Sequence, residues 1–312
     1  IIKDGRTYLP IRAVINAFGS DVEWDSALKT VVITTQHVDA KKILMDAYAK
    51  SADWKNYDSK IAADMKMSIP DESGASQPVN MKINMDMTAF TKPQKIKMTS
   101  TMTAKVLGQE IDQPLMDMYV TIDGKKFTTY TGMADETGKI TWTKSTIEDE
   151  ALTELANYDI QKSLELTSKY TKDVKFFGKS KDAAGRTLLR IQNTLSSEIY
   201  ESLLGNYLEQ LAASTNTKDM MTKDLLKNMG DFQFIVYVDE KSGEIVKYEM
   251  DLGSIYSSMF SGIKESAEMP KEAIEMLKNI KATMVMEVLN VNSAKDFTIP
   301  AEALNAKEAT VE

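Results

Sequence analysis

Cysteine is absent from this 312-residue chain, and histidine occurs once, as His37. The first absence removes disulfides, thiolate nucleophiles and cysteine metal sites together. A single histidine makes no histidine-rich constellation for a transition metal, and because His37 lies outside the main domain no Ser-His-Asp set can be built around it. A basic excess is also missing: 38 Lys and Arg stand against 46 Asp and Glu, a formal net charge of −8. Nucleic acid is therefore not an expected partner, because its binders carry a basic footprint. No apolar run is long enough for a transmembrane segment. Internal repeats and low-complexity tracts are missing too. The remaining composition, 43% hydrophobic and 27% charged, is that of an ordinary globular protein with room for a large core.

Carboxylates are plentiful, but pairs such as Asp149/Glu150 and Asp239/Glu240 fall in expected caps and turns. Charged turns of that kind are usually solvated. The twelve-residue calcium-loop pattern is absent around Asp71-Glu72 and Asp239-Glu240. Gly178 and Gly185 frame a hairpin and not a phosphate loop. The expectation is accordingly no enzyme, no cofactor and no metal.

What the chain does have is methionine, 20 residues against 9 phenylalanines and 3 tryptophans. Much of it sits in alternating stretches. Ile61, Ala63, Met65, Met67 and Ile69 face one way, with Asp64, Lys66 and Ser68 between them. Met81, Ile83, Met85, Met87 and Ala89 repeat the pattern, as do Ile96, Met98, Met102 and Ala104, then Met116, Met118, Val120 and Ile122. Thr129 and Thr131 make a weaker fifth stretch. Period-two alternation predicts antiparallel strands with one wet face and one buried face.

Residues 1–36 read as a compact β-β-α-β-β unit. Asp4-Gly5 is a turn signal, Pro10 opens a helix carrying Ile11, Val14, Ile15 and Phe18, and Gly19 stops it. Two short strands, Val22–Trp24 and Thr30–Thr34, follow around the turn at 25–29. The string Asp4-Gly5-Arg6-Thr7-Tyr8-Leu9-Pro10-Ile11-Arg12, with Ala17-Phe18-Gly19, Val22-Glu23-Trp24-Asp25 and Lys29-Thr30-Val31-Val32-Ile33, resembles the amino-terminal (stalk) module of copper amine oxidases. The copy looks truncated at its start. The resemblance implies a surface-attached envelope unit; copper enters by name only.

From residue 38 to 308 a second, larger domain is expected. Ile43, Leu44, Ala47, Tyr48 and Trp54 stripe a first helix. Hairpin signals at Asp123-Gly124, Asp182–Gly185 and Asp239–Gly243 separate about ten antiparallel strands. Among them are Gly138–Thr143, Val174–Phe177, Thr187–Ile191, Ile245–Leu252 and Thr283–Val291. Helical patterns cover residues 147–170, 197–213, 218–229 and 270–280. The strongest places Ile199, Leu203, Tyr207 and Leu211 on one face. The tail Phe297–Pro300 either docks or frays.

One helix leading into a large antiparallel sheet, with helices inserted late, is similar to the lipoprotein carrier LolA and to the mycobacterial lipid-binding lipoproteins LppX and LprG. The closing string Asp296-Phe297-Thr298-Ile299-Pro300-Ala301-Glu302-Ala303 resembles a Gram-positive envelope lipoprotein family. The fold class implied is α+β: a large curved antiparallel half-barrel sheet covered by helices, after the small module. The arginine that the Gram-negative carrier uses in its switch has no counterpart here.

Two functions follow as expectations. In the first, a non-enzymatic envelope protein binds a lipid, amphiphile or lipidated partner in an apolar concavity. The pocket candidates are Met65, Met67, Met85, Met87, Met98, Met102, Met118, Ile199, Leu203 and Tyr207. Thioethers adapt to irregular shapes, and each buried methylene gains about 0.8 kcal/mol, so an acyl chain needs no polar recognition. In the second, the methionines simply fill a core, the protein is a structural or surface-interaction protein, and the front module contacts a cell-surface component. The chain opens at Ile1, without an initiator methionine and in mid-pattern. A removed leading segment with an export signal, and lipid anchoring through it, is the expectation, placing the protein outside the cell or in its envelope.

Overall fold

The computed structural model describes residues 2–3, 6–7, 12, 14–15, 20–25, 30–35, 38–70, 76–106, 109–124, 126–135, 138–148, 167–200, 230–261 and 271–308. At the front, β1 (Ile2–Lys3) and β2 (Arg6–Thr7) pair antiparallel, Ile2 opposite Thr7 and Lys3 opposite Arg6. The β-branched run of β4 (Thr30–Thr35) pairs with β3 (Ser20–Asp25), whose Val22 is buried.

Helix α1 (Ala40–Ser51) follows. Asp39 caps it, its carboxylate accepting from the Lys42 amide at 2.9 Å. At the far end the Lys50 ammonium donates to the Ser242 carbonyl, where cations also suit the helix dipole. Leu44, Ala47 and Tyr48 are buried, and apolar burial of this kind stabilises by about 1.5–3 kcal/mol per large side chain. Asp39→Ala should cost about 1 kcal/mol, read as a lower denaturant midpoint with an unchanged slope.

One open, curved sheet of twelve strands dominates the chain. Strands β5 (Asn56–Pro70), β6 (Ser76–Thr91), β7 (Gln94–Val106), β8 (Gln109–Asp123), β9 (Lys126–Ala134) and β10 (Ile140–Glu148) form a meander. A second meander runs through β11 (Thr171–Lys181), β12 (Thr187–Leu195), β13 (Phe232–Asp239), β14 (Ile245–Asp251) and β15 (Lys281–Leu289). Antiparallel pairing of β15 with β5 welds the two, from Lys281 opposite Lys66 to Leu289 opposite Asp58. The two-residue strand β16 (Lys307–Glu308) lies parallel on β10.

Turn chemistry accounts for the hairpins. Gly124 takes φ +58° between β8 and β9, a conformation that favours glycine. In the β13–β14 turn the Asp239 carboxylate accepts from the amides of Lys241 and Ser242, both at 2.9 Å, and Glu240 pairs with Lys179 at 2.6 Å. Those carboxylates serve the turn and the neighbouring strand.

Two expectations are corrected. The sheet has twelve strands where about ten were expected. Strand β10 reaches residue 148, so residues 147 and 148 are strand and not the start of a helix; Ile147 and Glu148 pair opposite Phe127 and Lys126, and sheet pairing overrides the local helical pattern. Helices cover part of the sheet among the described residues. Among the described residues, α1 makes the largest helical contribution to the main core, and the helical residues Ile199, Tyr170 and Tyr200 add to it. Helices α2 (Gly253–Ser261) and α3 (Lys271–Lys278) pack on each other and reach β15 and β5. The expected helices at 218–229 and over most of 147–170 and 197–213 lie outside the described residues.

The tail docks. Asn290 and Asn292 adopt φ +50° and +57°, and Asn292 accepts from the Lys55 amide at 2.6 Å. Beyond them Phe297, Ile299 and Ala303 of helix α4 (Ala301–Leu304) pack with Tyr119, Tyr130 and Trp142. The Lys95 ammonium lies 5.1 Å from the Phe90 ring centre and 4.7 Å from that of Phe297, and bonds the Asp296 carboxylate and the Phe297 carbonyl. That bond holds the Asp296 carboxyl below its ordinary value of 3.8. A depressed folded pKa means the clamp is fully present above the ordinary carboxylate range and is lost as pH falls through the lower folded value. The Phe297 amide donates to Asp296 and reports this directly. Its NMR titration midpoint should lie below 3.8 and return to the ordinary range in Lys95→Met.

Candidate functional site

Cross-strand register decides which side chains share a face, since directly opposed residues point the same way. One row runs Val174–Asn193–Phe234–Met250–Met284–Ala63–Ile83–Met102, from β11 across to β7. The next row runs Phe176–Ile191–Val236–Tyr248–Met286–Ile61–Met85–Ser100–Met116. Ser59, Met87, Met98 and Met118 make a third. Seven of the ten pocket candidates, Met65, Met67, Met85, Met87, Met98, Met102 and Met118, thus stand on one face. Their polar neighbours Asp64, Lys66, Lys82, Asn84 and Asp86 stand exposed on the other.

Burial along this apolar face is graded. At the β11–β15 end α1 covers it, and Leu44, Ile191, Val236, Val238 and Ile245 are at most 1% exposed. From β5 to β8 all seven candidates, with Met81 and Met116, are half-buried. None of these nine belongs to either buried core cluster among the described residues. Towards β10 the face opens further, with Ile111 43%, Met133 58% and Ile147 38% exposed. The apolar layer therefore begins as a solid core and continues as an incompletely covered surface. The stretch over β5–β8 is four strands wide and spans ~14 Å by ~20 Å at ordinary strand geometry.

The remaining candidates separate. Ile199 is buried in the core cluster with Leu44, Ile191 and Phe234, at the covered end. Leu203 and Tyr207 lie outside the described residues.

Composition hid one set of groups. Among the described residues, both amide atoms of Asn193, the Ser59 hydroxyl, the Trp54 indole nitrogen and the Tyr200 hydroxyl are buried without a hydrogen-bond partner. Asn193 is 0% exposed. Leaving such a group unpaired costs about 1–3 kcal/mol, so each asks for an explanation. An asparagine alternating with Ile191 and Leu195 was a readable signal, but only in a strand whose burial was already known. Burial, helped by the nearby Asp231 carboxylate, pushes the Tyr200 hydroxyl up to about 12 and keeps it a neutral donor.

The opposite face carries a depression of about 200 Å³, and seven of its nine lining residues (Asp64, Lys66, Asn80, Lys82, Thr103, Lys105 and Glu110) are polar-face residues. Three ammonium groups against two carboxylates give it little net charge. Among the described residues no group of three or more His, Cys, Asp or Glu side chains is placed to hold a metal. None of the described helices is long and apolar enough to cross a membrane, which says nothing about strands.

Residues 1–71 match the family described as the copper amine oxidase N-terminal domain. The match runs past residue 36 through α1 and β5, and it concerns the amino-terminal domain of those enzymes, not their catalytic one. No curated protein matches the chain. Solved structures similar to it include a DUF1329 family protein from Desulfovibrio piger, 10% identical, covering 84% of this chain and 96% of that one at a TM-score of 0.19. A LolA superfamily protein from Nitrosomonas europaea is 9% identical with the same coverage and a TM-score of 0.20. A β-barrel-like DUF1849 protein from Brucella abortus is 10% identical, covers 75% and 99%, and scores 0.18. Likeness at these scores does not establish a common function.

Proposed function

We propose that this chain is a non-enzymatic protein of the cell envelope that holds the acyl chain of an amphiphile, free or attached to a protein, against its methionine face. One observation carries the reading: on an apolar face continuous with the core, nine methionines across β5–β8 stay half-buried and outside both core clusters. Water against so much apolar surface is unfavourable, and soluble proteins rarely leave large apolar patches uncovered. Methionine suits an occupant of variable shape, since its unbranched thioether repacks at low cost. With about 0.8 kcal/mol per methylene, a chain of a dozen carbons supplies ample affinity without any charge. Passive sequestration is the mechanism, and it involves no bond-making step.

Two domains serve this reading, a stalk-like unit at 1–36 and the acyl-binding sheet at 38–308. The front unit contacts a cell-surface component, and export precedes both roles. Native mass spectrometry and lipid extraction of the purified protein test it. A co-purifying amphiphile, retained when residues 1–36 are deleted, is the expected result. Absence of any lipid, with no uptake from vesicles or micelles, overturns the reading and leaves a scaffold whose methionines are covered by its own side chains.

A further inference from the structure

All the sulfur of this chain is thioether: 20 methionines and no cysteine. No methionine among the described residues is fully buried, while the core is built from Leu, Ile, Val, Ala and aromatic side chains. The contrast is sharpest on the apolar face of β5–β8. Its buried positions hold Ser59, Val79, Ala89, Ser100, Ala104 and Val120, none longer than valine. The half-buried methionines stand beside them: Met87 opposite Ser59, Met67 opposite Val79, Met85 opposite Ser100 and Met81 opposite Ala104. Long side chains shade short ones, so the thioethers form the outer layer of this face. Met133, farther along the same face, is 58% exposed. A methionine that merely filled a core gap would be enclosed, and these are not.

We propose that the β5–β8 methionines are a reversible oxidation site, and that their conversion to sulfoxides by hydrogen peroxide releases the amphiphile. The release step rests on the acyl-binding reading above; the oxidation does not. In the oxidation a thioether lone pair attacks one peroxide oxygen, a sulfur–oxygen bond forms and the oxygen–oxygen bond breaks. Sulfur gives up two electrons, the peroxide takes them, and the departing oxygen leaves with both protons as water. Cysteine thiolates are the usual competitors for peroxide, and this chain has none. A sulfoxide is polar where the thioether was apolar. On the empty, half-open face water satisfies its oxygen. An acyl chain laid over it strips that water and supplies no donor in exchange. The fold tolerates the change, because the positions that hold the core together, Leu44, Ile191, Val236 and Ile245 among them, carry no sulfur. Methionine sulfoxide reductases, one for each sulfoxide epimer, reset the site at the expense of a dithiol.

Graded hydrogen peroxide treatment of the full chain tests both steps, read by peptide mass spectrometry and by displacement of an apolar dye with monodecanoylglycerol. Oxygen should appear first at Met133 and the β5–β8 methionines, and later at Met45, Met250 and Met286, which pack against the main core. As the β5–β8 sulfoxides accumulate, affinity for the ester should fall at least about tenfold with an unchanged circular dichroism spectrum. Treatment with the two reductases should restore it. Oxidation spread evenly over all methionines, or earliest at Met45, Met250 and Met286, overturns the oxidation site. Full ester affinity in protein oxidised at β5–β8, or a loss that persists after the reductases have removed the sulfoxides, overturns the release step and leaves acyl binding intact. Untreated wild type that does not bind the ester overturns acyl binding and release together, while the peptide map still decides the oxidation site.

Discussion

Met85→Asp is expected to lower amphiphile affinity by about 100-fold, equivalent to about 2.7 kcal/mol, while Asn84→Asp changes it less than about twofold. The two positions are neighbours on β6 and carry the same new charge. Met85 lies on the apolar face between Ile61 and Ser100, whereas Asn84 lies exposed on the polar face between Ala62 and Thr101. A carboxylate at 85 stays hydrated in the empty protein because the site is only half-buried. An acyl chain laid over it would strip that water without supplying a counter-charge. Dye displacement by monodecanoylglycerol reads the affinity, and circular dichroism confirms that both variants stay folded. Equal effects at 84 and 85 would mean that the response is one of net charge and not of the methionine face.

Leu44→Ala is expected to destabilise the protein by about 3 kcal/mol. Leu44 is 0% exposed and sits among Ile191, Val236 and Ile245, also essentially unexposed, so its removal leaves a cavity that rigid strands cannot close. Chemical denaturation followed by circular dichroism should show a lower midpoint and an unchanged slope. Met98→Ala makes the comparison: a half-buried side chain outside either core cluster should cost well under half as much. A Met98→Ala penalty as large as that of Leu44→Ala would show the methionine face to be solid core, against the acyl-binding reading.

Alternation made the two faces of β5–β8 readable before any coordinates, because the pleat alone sends successive side chains to opposite sides. Asp64, Lys66 and Lys82 are exposed where the pattern put them, and Met65, Met85 and Met98 share the other face. Hairpin positions were equally local: Gly124 and Gly243 take φ of +58° and +70° at turns marked by Asp-Gly and by Asp239. The stripe of α1 was legible for the same reason, with Leu44, Ala47 and Tyr48 on its buried side. Strand ends were less so. Ile147 and Glu148 are held in β10 by partners on β9, and no window of ten residues contains that information.

Three features needed the tertiary structure. The pairing of β15 with β5 joins residues more than two hundred positions apart and turns two meanders into one sheet. The return of the tail to Tyr119, Tyr130 and Trp142 depends on a lysine, Lys95, whose partners Asp296 and Phe297 lie equally far along the chain. Above all, the gradient from solid core to half-covered methionine follows the placement of α1, which packs on β11, β13 and β14 at one end of the sheet. Periodicity states which side of a strand is apolar. How much of that side is covered is a property of distant segments, and coverage is what separates a core from a site.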